Sequence, residues 1–524
     1  MAARVSSEAT TCACLTASTV GRMNTLLDRT PVIVGVGEIR QRSKDPAVAL
    51  EPLALMEAAL RVAADDAGAP LLASIDSLDV IQEFSWPYVD APAQLSQRLG
   101  ISPARQVYGP VGGETPVHGI HEAALRIWRG ESTVAAVVGA EAQYAVSAAQ
   151  KSGIALPWSP RDPDPRLVRG VDYLHPAAVQ LGVASPTAVY PFYENAVQAA
   201  WGQTPAQGTQ ESGQLWARCS EVAAANPCAW QQQALSADEI TTPSAANRLV
   251  AWPYTLRMVA NPMVNQGAAI LLTSVGHARQ LGIPAEHLVY VWCGAAAKEP
   301  DDYLQRDQYV RVHAQEAVLE QILSQVGDVG AFDSVELYSC FPVVPKMARR
   351  TLALRSDATM TCTGGLSFFG APLNNYMGHA AAAMVRATRG RQDALGLLYG
   401  QGGYMTKHHA IVLASYPGAS SRLADDYSVQ READARRGPV PALAMDYAGT
   451  ATVETHTVLY QRDGSVLHGV VVARTPMGER LLARVDAADR HSLALLVDLN
   501  HSPIGRAGQV TRAADGLARW SVAA

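Results

Sequence analysis

From Pro31 the chain runs Val32-Ile33-Val34-Gly35-Val36-Gly37, apolar at nearly every step, which is the pattern of a strand buried on both faces. The period then lengthens. Over Glu51–Ala67, the residues Leu53, Met56, Ala59, Leu60 and Ala63 recur at helical spacing and predict an amphipathic helix. A second strand is predicted over Leu78–Gln82, ending in the aromatic loop Phe84-Ser85-Trp86. Thr115 suits a helix cap and Pro116 a first helical position. Val117, Ile120, Ala124, Ile127 and Trp128 supply that helix's apolar stripe, and Gly130 stops it. Val134–Val138 reads as another buried strand, running into Gly139-Ala140-Glu141.

The same grammar returns about 260 residues later. Gly364-Gly365 leads into a predicted apolar strand, a turn and the alanine-rich helix Gly378–Thr388, which ends in Arg389-Gly390 as the earlier helix ends in Arg129-Gly130. The following strand, Ala394–Tyr399, also runs into a glycine, Gly400. A duplicated α/β core is therefore expected, with halves over residues 29–285 and 286–417. Residues 145–260, richer in polar residues, Pro and Trp, read as a helical and loop insertion in the first half. Beyond a linker at 418–438, the segments Ala451–Leu459, Val466–Ala473, Arg480–Val485 and Leu493–Val497 alternate with period two between turns such as Asp463-Gly464. Residues 439–524 are thus expected to form a small all-β barrel or sandwich. Residues 1–28 read as a disordered tail, with Met23 as an alternative start.

Composition narrows the function classes. A formal charge of −6 argues against nucleic acid or an anionic membrane as the main partner. No apolar run approaches the ~20 residues of a membrane span. The seven cysteines are scattered and odd in number, with no CxxC pair, so neither a disulfide framework nor a zinc site is predicted, and a reducing cytoplasm is the expected setting. His118, His121 and Glu122 share a helical face, but no HExxH pattern accompanies them and no metal site is predicted.

An ordered series of segments carries a family resemblance: Val32–Gly37, the helix between Gly113 and Gly130, Val134–Glu141, Asn261–Ala269 (NPMVNQGAA), Val335–Phe341 (VELYSCF), Gly364–Pro372 (GGLSFFGAP) and Gly400–Gly403. Together they resemble the thiolase superfamily. GGETP, ELYSCFP, TGGLSFFGAPLNNY and GQGGYMTKH are similar to thiolase-like proteins described as acetyl-CoA acetyltransferases that carry an extra OB-like C-terminal domain. The resemblance implies a duplicated thiolase fold with α-β-α-β-α layering plus a small all-β OB-like domain. It also implies an acyltransferase-type protein of lipid metabolism that takes a coenzyme A thioester as substrate or ligand.

Thiolase chemistry needs an acylatable cysteine at a helix N-terminus, a second acid/base group and an oxyanion hole. By the resemblance, the nucleophile's place falls at Gly113, with Glu114 and Thr115 the nearest polar side chains. The histidine of the GHP turn is Ala371, the pair before Phe341 reads Tyr338-Ser339, and the late cysteine falls at Leu398–Tyr399. Ordinary thiolase activity is therefore not expected. Tyr338, Cys340, Asn375, Tyr376, His379 and His408 are the candidate catalytic residues, and Gly113, Glu114, Gly400, Gly402 and Gly403 the candidate thioester-binding ones. For Cys340 packing is favoured over nucleophilicity, while Tyr338, standing where relatives place a catalytic His, leans to function. Thiolase-fold aldolases that cleave steroid side chains lack the cysteine, use tyrosines and pair with a separate OB-fold protein. By that resemblance Tyr338 and Tyr376 take acid/base roles and the tail stands in for the partner. Three readings stay open: a retro-aldol or retro-Claisen lyase on a bulky acyl-CoA, a noncatalytic acyl-CoA or lipid carrier, and a scaffold whose tail recruits a partner. The oligomeric state also stays open, between a dimer through the core and a tail that covers that face.

Overall fold

The alternation in β1 (Pro31–Arg40) sends its side chains into two different cores. Val32 and Val34 pack with helix α1 (Pro52–Ala67), while Ile33 and Val36 face helix α2 (Thr115–Arg129) and the rest of the interior. Gly35 and Gly37 are set by this packing: a Cβ on Gly37 would lie 2.7 Å from the Ala63 nitrogen, so only glycine lets the strand reach the helix backbone. Residues 27–43, 45–418 and 423–522 are described in this computed structural model. The expected N-terminal tail lies outside them up to residue 26, as do residues 419–422 of the expected linker.

β2 (Ser77–Val80), β3 (Arg105–Tyr108) and β4 (Val134–Glu141) follow in the first half. After the insertion, which carries the short strands β5 (Leu249–Ala251) and β6 (Tyr254–Thr255), comes β7 (Gln266–Ser274). The second half supplies β8 (Val289–Lys298), β9 (Ser334–Leu337), β10 (Leu395–Gly402) and β11 (Lys407–Ala414). The sheet order β3-β2-β4-β7-β1-β8-β11-β10-β9 is nearly a mirror about the β1–β8 junction, where only two residue pairs meet. β1 corresponds to β8, β7 to β11, β4 to β10 and β2 to β9, each with the same parallel or antiparallel neighbours. The place of β3 is taken by the segment at Met360, whose carbonyl accepts from Leu337 N at 2.9 Å. The duplication read from the sequence is thus present as topology. Helix α2 and its counterpart near the end of the core, Tyr376–Thr388, touch each other and strands of both halves, forming the central helical layer.

Three local expectations are corrected. Gly364-Gly365 opens the short helix Gly365–Phe368 and not a strand, because an apolar run of four residues is compatible with either period. Leu493–Val497 belongs to the helix Arg490–Leu496, whose cap is Asp489 accepting from Ser492 N, with Leu493 and Leu496 buried on one face. Thr115 also differs from expectation, since it is the first helical residue and its hydroxyl bonds the Pro110 carbonyl at 3.1 Å.

In the tail, β12 (Gly449–Tyr460), β13 (Val466–Arg474), β14 (Arg480–Asp486), β15 (Ala507–Arg512) and β16 (Ala518–Val522) close into a barrel. β12 pairs with both β13 and β15, and β14 with both β13 and β16. The β14–β16 pair is parallel and the Arg490–Leu496 helix lies between β14 and β15, which is OB topology. β5 and β6, from the insertion, extend the sheet beside β12. The barrel is fastened to the core by Arg480, fully buried, which donates to the Leu304 carbonyl at 2.8 Å and the Arg306 carbonyl, pairs with Glu454 and lies over the Tyr309 ring. Among the described residues no helix is long and apolar enough to cross a membrane.

Candidate functional site

Three loops from the duplicated core converge at the N-terminal end of α2: residues 109–114, the Tyr338–Phe341 turn after β9, and the Gly400–Gly403 stretch that ends β10. They meet there because α2, from the first half, packs on β10 and β11 of the second half, which brings its N-terminus to the end of β10. The insertion roofs the site through Tyr190, which stacks on Phe341 with centroids 4.3 Å apart and donates to the Gly403 carbonyl at 2.9 Å.

At its centre stands Tyr338. A Cβ on Gly113 would come within 2.7 Å of the Tyr338 Cζ and closer still to its hydroxyl and to the Gln401 carbonyl. The tyrosine thus fills the space that a nucleophilic side chain at Gly113 would need. Tyr338 is only 7 % exposed, and burial holds its hydroxyl well above the ordinary tyrosine range, so it is protonated at neutral pH. Among the described residues no hydrogen bond reaches that hydroxyl.

Glu114, next in sequence, is the second group without full partners. Its carboxylate lies between Gly112 and Gly402, its Oε2 is buried and unpaired, and Lys407 Nζ is 3.9 Å from Oε1. Burial raises its pKa, against the lowering effect of Lys407. Gly400 and Gly402 lie against Gly113 and Glu114, and their bare Cα atoms make room for the glutamate. Glu114 also borders a cavity of about 360 Å³ lined by Lys298, Lys407, His118 and Tyr427.

The remaining candidates are held by structural bonds. Tyr376 bonds Glu336 and Thr363, both at 2.6 Å, and meets Tyr338 edge-on at 5.9 Å. The Asn375 amide donates to the Gly139 carbonyl at 2.6 Å, which ties it to the end of β4. Neighbouring Asn374, in contrast, accepts from Gly112 N at 3.1 Å and so steadies the loop before Gly113. His379 is pushed down to about 3 by burial, so its neutral ring donates from Nδ1 to Glu38 at 2.6 Å. His408, also lowered to about 3 by burial, lies between the Tyr399 hydroxyl at 2.7 Å and the Met405 carbonyl at 3.0 Å. Cys340 is raised to about 12 by burial, which outweighs its bonds to Tyr190 and Gln401, and a thiol so held is a poor nucleophile. Gly403 turns the loop under Tyr190. His121 bonds His409 at 2.9 Å, and Tyr427 donates to Glu122 at 2.7 Å.

Sequence reasoning passes over Gln401, Tyr190 and Glu336. Gln401 donates to Tyr190 at 2.7 Å and to Cys340 Sγ at 3.3 Å, tying the glycine loop to the roof. A lone amide among glycines in GQGGY is a signal of that role. Glu336, buried in β9, accepts from Tyr376, Thr361 and the Cys362 nitrogen, so Cys362 is fixed beside a carboxylate.

A second acidic cluster flanks the site at the end of β4. Burial raises Glu83 to about 8, against the hydrogen bond from Tyr108, and raises Glu141 to about 7, against the bonds from Ser85 and Phe84 N. A carboxyl whose folded pKa exceeds its unfolded value of about 4.3 stabilises the fold fully below that value and loses the contribution as pH rises through the folded pKa. Stability is therefore expected to fall between about pH 4.5 and 8 on account of Glu83. Glu83→Gln should flatten that slope and raise the urea midpoint at pH 8. An unchanged pH profile of stability in the variant would sink this account.

Comparison with known proteins finds a family model and several solved structures. Residues 429–516 match the model of the thiolase-like protein type 1 additional C-terminal domain. A crystal structure of a monomeric SCP2-thiolase-like protein type 1 from Mycobacterium smegmatis superposes with a TM-score of 0.80 at 29% identity, covering 95% of this chain and 99% of that one. An Ltp2-ChsH2(DUF35) aldolase (TM-score 0.57, 18% identity, 74% of this chain and 98% of that one) shares the fold. So does the Acat5 thiolase from Ascaris suum in complex with coenzyme A (TM-score 0.53, 15% identity, 74% and 99%). No curated protein matches the sequence.

Proposed function

We propose, from the premise that this chain is a thiolase-superfamily protein carrying an additional C-terminal domain, that it binds an acyl-CoA thioester without cysteine-based acyl transfer. The seating of Tyr338 against Gly113 carries the second half of this reading, since no nucleophile can stand there while the tyrosine does. The ligand class is supported by shared fold with a thiolase whose crystal structure holds coenzyme A. The test is calorimetric titration with coenzyme A and acyl-CoAs of increasing size, beside an assay for thiolytic release of acetyl-CoA. Micromolar binding with no thiolysis is the expected result. Failure of every CoA compound to bind would remove the reading.

A lyase reading is favoured by one specific observation: the Tyr338 hydroxyl, which no hydrogen bond reaches among the described residues, and the buried, unpaired Glu114 Oε2 belong to residues that both abut Gly113. On a β-hydroxyacyl thioester, Glu114 as base would take the hydroxyl proton while the Cα–Cβ bond breaks. The β-carbon leaves as a carbonyl, and the electron pair passes to the thioester oxygen as an enolate. Tyr338, protonated at neutral pH, would donate a hydrogen bond to that oxygen, and the proton on Glu114 then reaches the α-carbon. Product formation abolished by Tyr338→Phe, with binding retained, supports this route. Turnover equal in the variant and the parent removes Tyr338 from it.

A further inference from the structure

We propose that the cleft between helix Pro205–Ala225 and the segment 349–360 is a binding site for a phosphate ester. The cleft is a cavity of about 240 Å³ away from Gly113, lined by three guanidiniums, Arg218, Arg349 and Arg350, and by a single carboxylate, Glu211. Positive charge is therefore in surplus in a concave, half-enclosed space. Arg350 grips Glu211 at 2.9 and 3.0 Å through both terminal nitrogens, Arg349 bonds the same carboxylate, and the Arg350 guanidinium lies 3.5 Å over the Trp201 ring. These contacts hold the planar forks in place, so little side-chain freedom remains to be lost when an anion binds.

Arg349 and Arg350 end the helix Val343–Thr351, where cations complement the helix dipole, and that alone would explain two of the three. It does not explain Arg218. That residue lies outside the last turn of its helix, donates to the Ser356 carbonyl at 2.8 Å, and keeps a buried Nε–H with no partner among the described residues. With Arg349 and Arg350 beside it, this third guanidinium gives the cleft a donor set for a tetrahedral dianion. Leu215 and Met360 add an apolar wall, which favours an esterified phosphate over the free ion. Glu211 holds its charge throughout: burial pushes its pKa up, but the Arg350 bonds and the Lys346 charge outweigh this and leave it at about 2.

The experiment is calorimetric titration of the full chain with inorganic phosphate and with adenosine monophosphate, at two salt concentrations, in the parent, Arg218→Gln and Glu211→Gln. Both phosphates are expected to bind, the ester more tightly and both more weakly at higher salt. Arg218→Gln should weaken binding about tenfold or more, the size of one charge-assisted hydrogen bond. Glu211→Gln should tighten it, by freeing two arginines and removing a like charge. The two variants move affinity in opposite directions, so a general loss of structure cannot imitate the result. Absence of binding by either phosphate, or equal affinity in all three proteins, overturns the proposal. Binding of inorganic phosphate alone overturns the assignment to an ester. No acyl-CoA enters these measurements, so a failure of the acyl-CoA reading is seen separately.

Discussion

Gly113→Cys is expected to lower stability by about 3 kcal/mol and to restore no thiolase activity. The new Cβ would overlap the Tyr338 ring edge and the Gln401 carbonyl, and that carbonyl belongs to a strand paired on both sides. Neither can yield cheaply: Tyr338 is packed against Tyr376, and Gln401 is bonded to Tyr190 and Cys340. Adding Tyr338→Ala should recover only part of the loss, because the backbone oxygen stays. The measurement is urea unfolding of both variants beside an assay of acetyl-CoA release. A fully stable Gly113→Cys protein that carries out thiolysis would show that the tyrosine moves aside readily.

The contrast between what was legible and what was not follows from the range of the signals involved. The duplication was readable because it rests on local patterns, an apolar strand, an alanine-rich helix and Arg-Gly stops, repeated in order. The vacancy at Gly113 was readable for the same reason, as a missing residue type at the start of a helix. Its filling by Tyr338 was not, since the two residues lie far apart in sequence and only the packing of α2 on β10, the neighbour of β9, brings them together. Asn375 and His379 had the right residue types near the right helix, yet Gly139 and Glu38, from the first half, engage them. The short apolar runs after Gly364 and at Leu493–Val497 failed because four or five residues cannot distinguish a period of two from one of 3.6.

Arg480→Met is expected to cost about 3–5 kcal/mol, the range for breaking a buried charged pair by removing one partner. The side chain is wholly buried at the junction of barrel and core, where it meets two carbonyls, the Glu454 carboxylate and the Tyr309 ring. Its loss leaves Glu454 with Arg474, a partly exposed partner, and leaves the carbonyls at Leu304 and Arg306 without this donor. The double variant Arg480→Met/Glu454→Gln should be less destabilised than Arg480→Met alone, because no charge is then stranded. Urea unfolding gives the size, and hydrogen exchange localises it: protection should fall first in β12 and β14 and in the 303–309 segment. A single variant as stable as the parent would mean that the barrel is held by its apolar contacts alone.

The strands that the core insertion lends to the barrel have a further consequence for the life of the chain during synthesis. β5 and β6 emerge some two hundred residues before β12, the strand beside which they lie, and Trp252 N bonds the Val458 carbonyl. Until the tail is made, Leu249–Ala251 with the following Trp252 is an open sheet edge, the kind of surface that pairs with the wrong neighbour. A chain stopped ahead of the barrel should therefore aggregate although its α/β core is complete, and the barrel supplied as a separate polypeptide should rescue it. The extra domain then behaves less as an appendage than as the chain's own chaperone, covering an edge that the core cannot cover alone.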